Sequence, residues 1–366
     1  MLGSLAQAGT KALGGERFSL VNVLPATLLV GYVSFLAISG VYAGRNVSIN
    51  DIPKVAGRNP GWAILAVVVI FVTSFLLRPF QMALVWILEG YWQSTPLLRS
   101  VAPWAVERHV RRRHTSDVTE SRHIPEPSSS IALAEVVAER IRVRREAVVT
   151  ERAARILKRY PADRPVLDED DLLQTVEVRI MPTGLGNILR KAEDDSGYRY
   201  GLSLPDIAPR LYAVLPEKIS KEIVRSLDLI EAGAAVSTAS SLAALASLPL
   251  LARADLWAVA PLIAIVLAIF AYSGTLRTAQ GHGRLLATAV DLYRFDMLAK
   301  LHYRLPTTVD EEWDFNVDLS NFFSYGDQLA RDIMSDYSYV HPEKNPEPPT
   351  SSDGASSPPA KEQAAD

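Results

Sequence analysis

The chain has 366 residues, of which 48% are hydrophobic and 22% are charged. The apolar residues are gathered into a few long runs with the charged residues between them, which excludes a single soluble globule, a fibrous chain and a fully disordered chain. Cysteine is absent, so disulfides, thiolate metal sites and a cysteine nucleophile are also excluded. The formal net charge of -3 combines a basic stretch, residues 101–160, with an acidic end that begins at residue 305. Such halves can face different partners or each other.

The first long apolar run covers residues 20–43 and contains no charged residue. It is long enough to cross a bilayer core of about 30 Å at roughly 1.5 Å per residue. A cleaved signal peptide is the alternative. However, the run exceeds the usual signal core of roughly 7–15 residues, and the segment before it is only weakly basic. We therefore expect an uncleaved transmembrane helix.

The second run, residues 62–77, is the most hydrophobic of the chain and is followed by Arg78 and Pro79. The segment that continues to residue 92 contains three residues of the type that favours membrane interfaces: Trp86, Tyr91 and Trp92. One interpretation is a span that ends near Arg78, followed by an interfacial helix. The other is a single tilted helix over residues 62–88.

Two further apolar runs, residues 229–252 and 256–273, are separated by only Arg253, Ala254 and Asp255. A connection this short predicts an antiparallel helical hairpin. Together with the first two runs, the sequence predicts a mainly α, polytopic membrane protein. Its four transmembrane helices form two hairpins, and a mostly helical cytoplasmic module lies outside them.

Positive charge near the ends of the spans predicts the orientation. Lys and Arg are concentrated after the second run, before the third and after the fourth, whereas the loop between the third and fourth holds only Arg253. The pattern predicts a multi-pass protein of the plasma membrane with both termini in the cytoplasm. The predicted regions are a cytoplasmic N-terminal arm (1–19), a first hairpin with an interfacial extension (20–92), a cytoplasmic helical region (93–228), a second hairpin (229–275), a second cytoplasmic helical region (276–340) and a disordered acidic, Pro-rich tail (341–366).

The region between the hairpins predicts several short elements. Residues 115–130 are rich in Ser, Pro and charge and predict a linker, and residues 131–159 then predict a long helix that Pro161 ends. This helix has a thin apolar stripe among Arg/Glu pairs, formed by Val137, Ile141, Val148 and Ile156. Alternation of Val176, Val178 and Ile180 predicts a short strand.

Helix starts and ends are predicted further along the chain. Residues 182–201 indicate a turn, a helix and a second turn. Ser203 followed by Asp206 resembles a capping box, and so does Thr308 followed by Glu311. Pro216 is placed to open a helix that continues into the third apolar run.

Gly233, Ser237 and Ser241 have the i, i+4, i+8 spacing of one helix face in the third span. Helices in lipid associate through close packing of such small residues, so these three are helix-packing candidates. The same Ser/Thr-rich face can instead line a water-filled path, which leaves a channel or transporter as the alternative.

Ionisable residues at membrane depth are functional candidates by default. The three in question are Arg78, Glu89 and Glu231, all near the predicted cytoplasmic boundary. Snorkelling of the side chains to the interface is the favoured interpretation. If the second run is one tilted helix, Arg78 lies deeper and can pair with Glu231.

An arginine cluster follows the second run: Arg108, Arg111, Arg112 and Arg113. Its position favours an orienting role in which positive charge stays on the cytoplasmic side. Contact with anionic lipid headgroups is the next interpretation, and nucleic acid is the least favoured partner.

No set of residues predicts an enzyme, a metal site or a cofactor site. The spacing of His109, His114 and His123 suits no helical zinc pair. The acidic run at 168–171 lacks the frame of an EF-hand loop. Gly184 and Gly186 favour a packed turn over an anion-binding loop, because the surrounding residues match no phosphate-binding motif. We therefore expect no enzymatic activity and no cofactor.

Three stretches, MPTGLGNILRKAEDDSGYRYGL (181–202), PRLYAVLP (209–216) and DLYRFDMLAKLHYRLP (291–306), carry a resemblance. With the interleaved apolar runs, they resemble a group of uncharacterised integral membrane proteins of actinobacteria. The resemblance covers roughly residues 175–323, and the N-terminal third is similar mainly in hydropathy. It implies a membrane location and no particular activity.

The combined expectation is an integral membrane protein that acts as a membrane-anchored scaffold or interaction protein. Its cytoplasmic helical module would be presented to an unknown cytosolic protein or to a second copy, with the lipid bilayer as its permanent partner. The alternative is a small oligomeric channel or transporter that uses the Ser/Thr-rich third span.

Overall fold

A computed structural model describes residues 24–38, 40–44, 61, 65, 68–69, 72, 81–121, 133–161, 179–253, 255–324, 334–335 and 337–341. This part of the chain is mainly helical, as predicted. Its α-helices are α1 (Leu24–Ile38), α2 (Gln81–Glu89), α3 (Pro96–Glu120), α4 (Leu133–Leu157), α5 (Gly184–Gly197), α6 (Leu204–Val214), α7 (Glu217–Ser247), α8 (Ala260–Lys300) and α9 (Val309–Ser324). Within it, the one β-type pairing is an isolated bridge between Tyr303 and Tyr339. Arg78 and most of the predicted strand, Val176 and Val178, lie outside the described residues, and Ile180 lies in a loop.

Within the described residues, two stretches are long and apolar enough to cross a membrane: Glu217–Ala252 and Leu256–Lys300. They contain α7 and α8, which are joined by the short 3-10 helices Leu248–Ala252 and Leu256–Val259. At 1.5 Å per residue, α7 is about 46 Å long and α8 about 61 Å, both longer than a bilayer core of about 30 Å. Each helix is therefore long enough to extend beyond the bilayer core. The N-terminal half of α7 and the C-terminal half of α8 carry charged residues, which need a polar environment.

Small residues let α7 and α8 approach closely in antiparallel orientation. A Cβ atom on Gly233 would overlap Thr275 of α8. The Ser237 hydroxyl donates a hydrogen bond of 3.2 Å to the carbonyl oxygen of Ala268. Further toward the connection, Ala243 packs with Ala264. The apolar face needed for this packing is thus built from residues without bulky side chains.

The shorter helix α1 packs along α7 and ends beside the α7–α8 connection. Tyr32 lies next to the alanines that α7 and α8 bring together, and the Phe35 ring lies 5.9 Å from the Trp257 ring. Just beyond α1, the Tyr42 hydroxyl donates to the Ala246 carbonyl at 3.1 Å. Because the C-terminal ends of α1 and α7 meet at this connection, the two helices run in the same direction.

The other ends of α7 and α8 belong to a helical module made with α5, α6 and α9. Its core includes fully buried side chains from α6, α7, α8 and α9, among them Ile207, Ile223, Met297, Leu298 and Leu319. α5 contributes Leu185 to an adjoining cluster with α7 and α8. Buried apolar area of this kind is the main stabilising contribution to a folded domain. The module is thus continuous with the two longest helices.

Local sequence signals mark several of the helix boundaries correctly. α7 begins directly after Pro216, and α9 begins after Thr308, whose hydroxyl accepts from the Glu311 N–H at 3.2 Å. α6 begins after Ser203 as predicted, but the cap differs. The Ser203 hydroxyl bonds the Asp206 carboxylate rather than a backbone N–H, and the Ser203 N–H instead donates to Ser320 of α9.

Helices α3 and α4 form a separate structure, the α3–α4 hairpin, in which they pack chiefly against each other. The predicted long helix at 131–159 is confirmed as α4. The predicted linker was wrong at its start, because α3 continues through residues 115–120. Ser116 is buried in the hairpin, and the Tyr160 hydroxyl just after α4 lies 2.9 Å from Nδ1 of His109 on α3. These long-range contacts stabilise a helix that the polar composition alone does not indicate.

Candidate functional site

A groove of about 1030 Å³ lies where the end of α2, the first half of α3 and the start of α5 come together. Aromatic and aliphatic side chains form most of its wall, and four polar side chains project among them. Its lining residues are Trp86, Glu89, Gly90, Tyr91, Trp92, Gln93, Ala102, Pro103, Val106, Glu107, Ile180, Met181, Pro182 and Arg190. Concave, largely apolar sites with a few polar groups are the usual form of a binding site for small molecules.

The floor of the groove is formed where the C-terminus of α2 packs on the N-terminus of α5. The Thr183 hydroxyl donates to the backbone oxygen of Glu89 at 2.9 Å and accepts from the Gly186 N–H at 3.0 Å. A Cβ on Gly186 would overlap that same Glu89 oxygen, so only glycine allows the approach. Gly90 turns the chain away at φ +102°, a conformation that favours glycine.

Asn187 holds the loop that enters α5. Its side chain is buried and forms three hydrogen bonds to the loop. It accepts from the Met181 N–H at 2.9 Å and donates to the carbonyls of Met181 and Thr183 at 2.8 and 2.7 Å. A buried side-chain amide with its polar atoms bonded is a stabilising feature. The loop therefore presents Ile180, Met181 and Pro182 to the groove in one fixed conformation.

Two charged side chains of the groove, Arg190 and Glu89, do not form an ion pair with each other. Arg190, on α5, is half-buried, and its one hydrogen-bond contact among the described residues is the Met181 sulfur at 3.8 Å. The carboxylate of Glu89 is also half-buried and has no hydrogen-bond or ion-pair partner in the described part of the chain. By contrast, Glu107 on the far wall forms an ion pair with Arg111 at 2.7 Å.

Burial, together with the negative charge of nearby Glu193, raises the pKa of Glu89 to about 7. Glu89 is the last residue of α2 and lies beyond both alternatives for the second span. A carboxyl group with this pKa changes charge near neutral pH. A cationic ligand in the groove would therefore favour the ionised form of Glu89.

A smaller cavity of about 150 Å³ adjoins the groove and shares four lining residues with it: Glu89, Tyr91, Met181 and Arg190. It extends the polar region to Glu193 and to His282 of α8. The His282 ring is buried, with Nδ1 2.7 Å from the hydroxyl of Ser226 on α7. The polar region therefore reaches from the groove to the α7–α8 pair.

The predicted helix-packing residues occupy different positions on α7. Gly233 and Ser237 lie in the contact with α8. Ser241 is exposed, and its hydroxyl donates to the Ser237 carbonyl at 2.8 Å. The neighbouring Ser240 is buried on the packed side.

The predicted charged candidates do not come together as one site. Glu89 lines the groove, Glu231 lies half-buried on α7, and Arg78 lies outside the described residues. The arginine cluster is on α3, where Arg108, Arg111 and Arg112 are exposed and Arg113 is half-buried. Sequence reasoning missed Arg190, because nothing in its spacing distinguishes it from other arginines on helix surfaces.

A second polar cluster lies inside the helical module. Arg294 of α8 forms an ion pair with Glu312 of α9 at 2.6 Å and lies 4.0 Å above the Tyr200 ring. The Tyr200 hydroxyl donates to Asp291 at 2.8 Å, and the Tyr200 carbonyl accepts from Asn316 at 2.8 Å. Since these groups satisfy one another across three elements, we interpret the cluster as structural. Among the described residues, no three His, Asp or Glu side chains are grouped so as to hold a metal ion.

The chain matches no protein family, curated protein or solved structure in our comparisons.

Proposed function

We propose that the chain is a membrane-anchored scaffold or interaction protein that presents its helical module and, above all, the separate α3–α4 hairpin to a cytosolic partner. The observation that carries the proposal is the exposed apolar stripe of α4. Val137, Ile141 and Val148 lie on one face of α4 and are each about half exposed. Exposed apolar rows flanked by charge are typical of helix–helix recognition surfaces.

The partner that fits this surface is an acidic helical segment of another protein. α3 and α4 together contain eleven arginines against seven acidic residues, a net charge of +4. Pairing two copies of such a hairpin would bring like charges together, whereas an acidic partner gains complementary charge. Headgroup contact by the cluster at residues 108 and 111–113 is a further role of the same charge, and nucleic acid is a less favoured partner.

The membrane part of the proposal is a plasma-membrane protein with four spans in two hairpins and both termini in the cytoplasm. In its support, α1 ends beside the α7–α8 connection, whereas Leu88 of α2 packs against Ile230 and Ala279, near the middle of the two helices and at the far end of their apolar halves. An up-and-down arrangement accounts for both positions. The positive charge around the module favours the cytoplasmic side for it.

Cysteine labelling tests the topology, because the chain has no native cysteine. Thr115 of α3 is exposed, so Thr115→Cys places a reactive thiol on the hairpin surface. We expect a membrane-impermeant maleimide to label this variant only after cells are permeabilised. Labelling in intact cells would place the hairpin outside and contradict a cytosolic scaffold.

Affinity capture with a matched variant tests the partner. We expect an acidic protein to be captured by the full chain in mild detergent and lost when Val137, Ile141 and Val148 are all changed to Ser. Leu292→Ser, an exposed apolar change on α8, is the control and should keep the partner. Val148→Cys tests self-association. If this variant forms a disulfide-linked dimer, the partner of the stripe is a second copy of the chain and not an acidic protein. If the experiments yield neither a captured partner nor a disulfide-linked dimer, the scaffold role is refuted.

The second candidate, a small oligomeric channel or transporter that uses the third span, is favoured by one observation. The Ser240 hydroxyl is buried and has no hydrogen-bond partner among the described residues. Such a group is more stable next to water or a polar neighbour. Liposome flux that persists after Ser240→Leu and Ser237→Leu would contradict this candidate.

A further inference from the structure

We propose that the groove binds the phosphoethanolamine headgroup of a membrane lipid, with the phosphate at Arg190 and the ammonium at Glu89. The proposal rests on the membrane anchoring proposed above. It is independent of the hairpin's protein partner. It is carried by two opposite charges that line one cavity and that form no ion pair among the described residues.

Arg190 supplies the anion-binding half of this site. A half-buried guanidinium has lost part of its hydration, and the Met181 sulfur at 3.8 Å is a poor replacement. The guanidinium plane suits phosphate, because two parallel N–H donors can bind two phosphate oxygens. Glu107, the other acidic residue of the groove, does not compete for Arg190, since it is already paired with Arg111.

Glu89 supplies the cation-binding half. Its carboxylate has no hydrogen-bond partner among the described residues, and Glu89 lines the groove together with Trp86, Tyr91 and Trp92. A primary ammonium can donate hydrogen bonds to the carboxylate while aromatic faces attract its charge. A ligand that carries both charges on one short chain satisfies both residues. A purely anionic headgroup would leave Glu89 unpaired and repel it.

The surroundings indicate a lipid rather than a soluble zwitterion. Trp86, near the end of α2, is exposed, and Trp92, just after α2, is half-buried. Both follow the second apolar run, and tryptophan favours the headgroup depth of a bilayer. The opposite wall is mainly apolar, formed by Ala102, Pro103 and Val106, and its one carboxylate, Glu107, is paired with Arg111. A volume of about 1030 Å³ exceeds what a headgroup needs, so the glycerol and the first acyl carbons can lie against this wall.

The test measures lipid retention by native mass spectrometry on the purified full chain in detergent. The probes are short-chain phosphatidylethanolamine, phosphatidylcholine and phosphatidylglycerol, together with free O-phosphoethanolamine. We expect the ethanolamine lipid to bind about 10-fold more tightly than the glycerol lipid, because one charge-assisted hydrogen bond to Glu89 is gained. Arg190→Gln and Glu89→Gln should each weaken its binding by about 10-fold or more, whereas Arg190→Lys should retain part of it.

Matched controls separate the groove from general charge effects. Lys191→Gln removes a positive charge from the next position of α5, where Lys191 pairs with Asp195, and Glu222→Gln removes an exposed carboxylate of α7. Both should bind the ethanolamine lipid normally, and circular dichroism should show normal helicity in every variant.

Several outcomes would overturn the proposal. They are no retention of the ethanolamine lipid, unchanged retention in both groove variants, equal or tighter binding of the choline or glycerol lipid, and equally tight binding of free phosphoethanolamine. Carbonate extraction distinguishes the two levels of failure. A chain that stays in the membrane but shows any of these results refutes the lipid site alone, and a chain that is extracted refutes the membrane anchoring as well.

Discussion

The helical module and the α3–α4 hairpin are both all-helical, but they treat charge and apolar surface in opposite ways. In the module, the Arg294–Glu312 pair is 15% and 10% exposed, and Leu319 is fully buried. In the hairpin, the Arg111–Glu107 pair is 78% and 54% exposed, and Val148 is 54% exposed. Burial in the module therefore contributes most of the free energy of folding, whereas the hairpin leaves apolar and charged side chains exposed for binding. The groove lies between the two, at the base of the hairpin.

The largest expected difference concerns the two ion pairs. Glu312→Gln leaves the Arg294 guanidinium buried without its carboxylate and should reduce the free energy of unfolding by about 3–5 kcal/mol. Glu107→Gln breaks a solvent-exposed pair and should change it by less than about 1 kcal/mol. Thermal unfolding of the purified chain in detergent compares the two. Equal effects would mean that the exposed fractions do not reflect the environment of the pairs.

The apolar side chains should differ in the same direction. Leu319→Ala opens a cavity in the module core and should reduce the free energy of unfolding by about 2–5 kcal/mol. Val148→Ala removes exposed surface and should change it by no more than about 0.5 kcal/mol. The same unfolding measurement applies. A large loss for Val148→Ala would show that this face is already covered in the isolated chain.

Glu89 should make stability depend on pH near neutrality. Its folded pKa of about 7 lies above the ordinary value of 4.5, so its contribution is fully present below about pH 4.5 and declines as the pH rises to about 7. Glu193, Arg190, Tyr91 and His282 are the charged and titratable groups that line the same cavity as Glu89. Glu89→Gln should remove the decline and raise Tm at pH 8 by roughly 2–4 °C, about 1 kcal/mol after discounting for solvent contact. Glu222→Gln should not.

The smallest expected effect is local to the hairpin. Burial, and then the charges of Arg112 and Arg108, lower the pKa of His109 to about 4. Neutral His109 therefore stabilises the contact with Tyr160 above about pH 6.5, and this contribution is lost as the pH falls toward 4. Hydrogen exchange, corrected for intrinsic rates, should show α3 and α4 losing protection over this range while α9 does not. The His109→Gln variant should show no such change. Loss of protection in α9 as well would indicate global unfolding.

Local signals along the chain were sufficient for much of the helical layout. Pro216 and Thr308 mark the starts of α7 and α9, and the third and fourth apolar runs mark the two described helices that are long and apolar enough to cross a membrane. The weaker predictions concern polar helices. α3 was missed because its arginine-rich sequence has no apolar periodicity, and its length depends on packing against α4 through contacts such as His109 with Tyr160.

The candidate site could be anticipated only in part. Glu89 was singled out because a carboxylate near an apolar run is rare, and Trp86 and Trp92 because of their interface preference. Arg190 and His282 carry no such signal, since their importance depends on which surfaces α5 and α8 share with the end of α2.

The amino-acid sequence by itself determined where several of the helices begin or end and which of them are apolar enough to enter a bilayer, because propensity, capping and hydrophobicity act within a few residues. Only the tertiary structure decided that the Glu89 carbonyl meets Thr183, 94 residues away, and that Gly186 permits this approach. That contact places Glu89 and Arg190 in one groove. The physical reason is that close packing is specific to the shapes of both surfaces, and neither surface is encoded in the local pattern of the other.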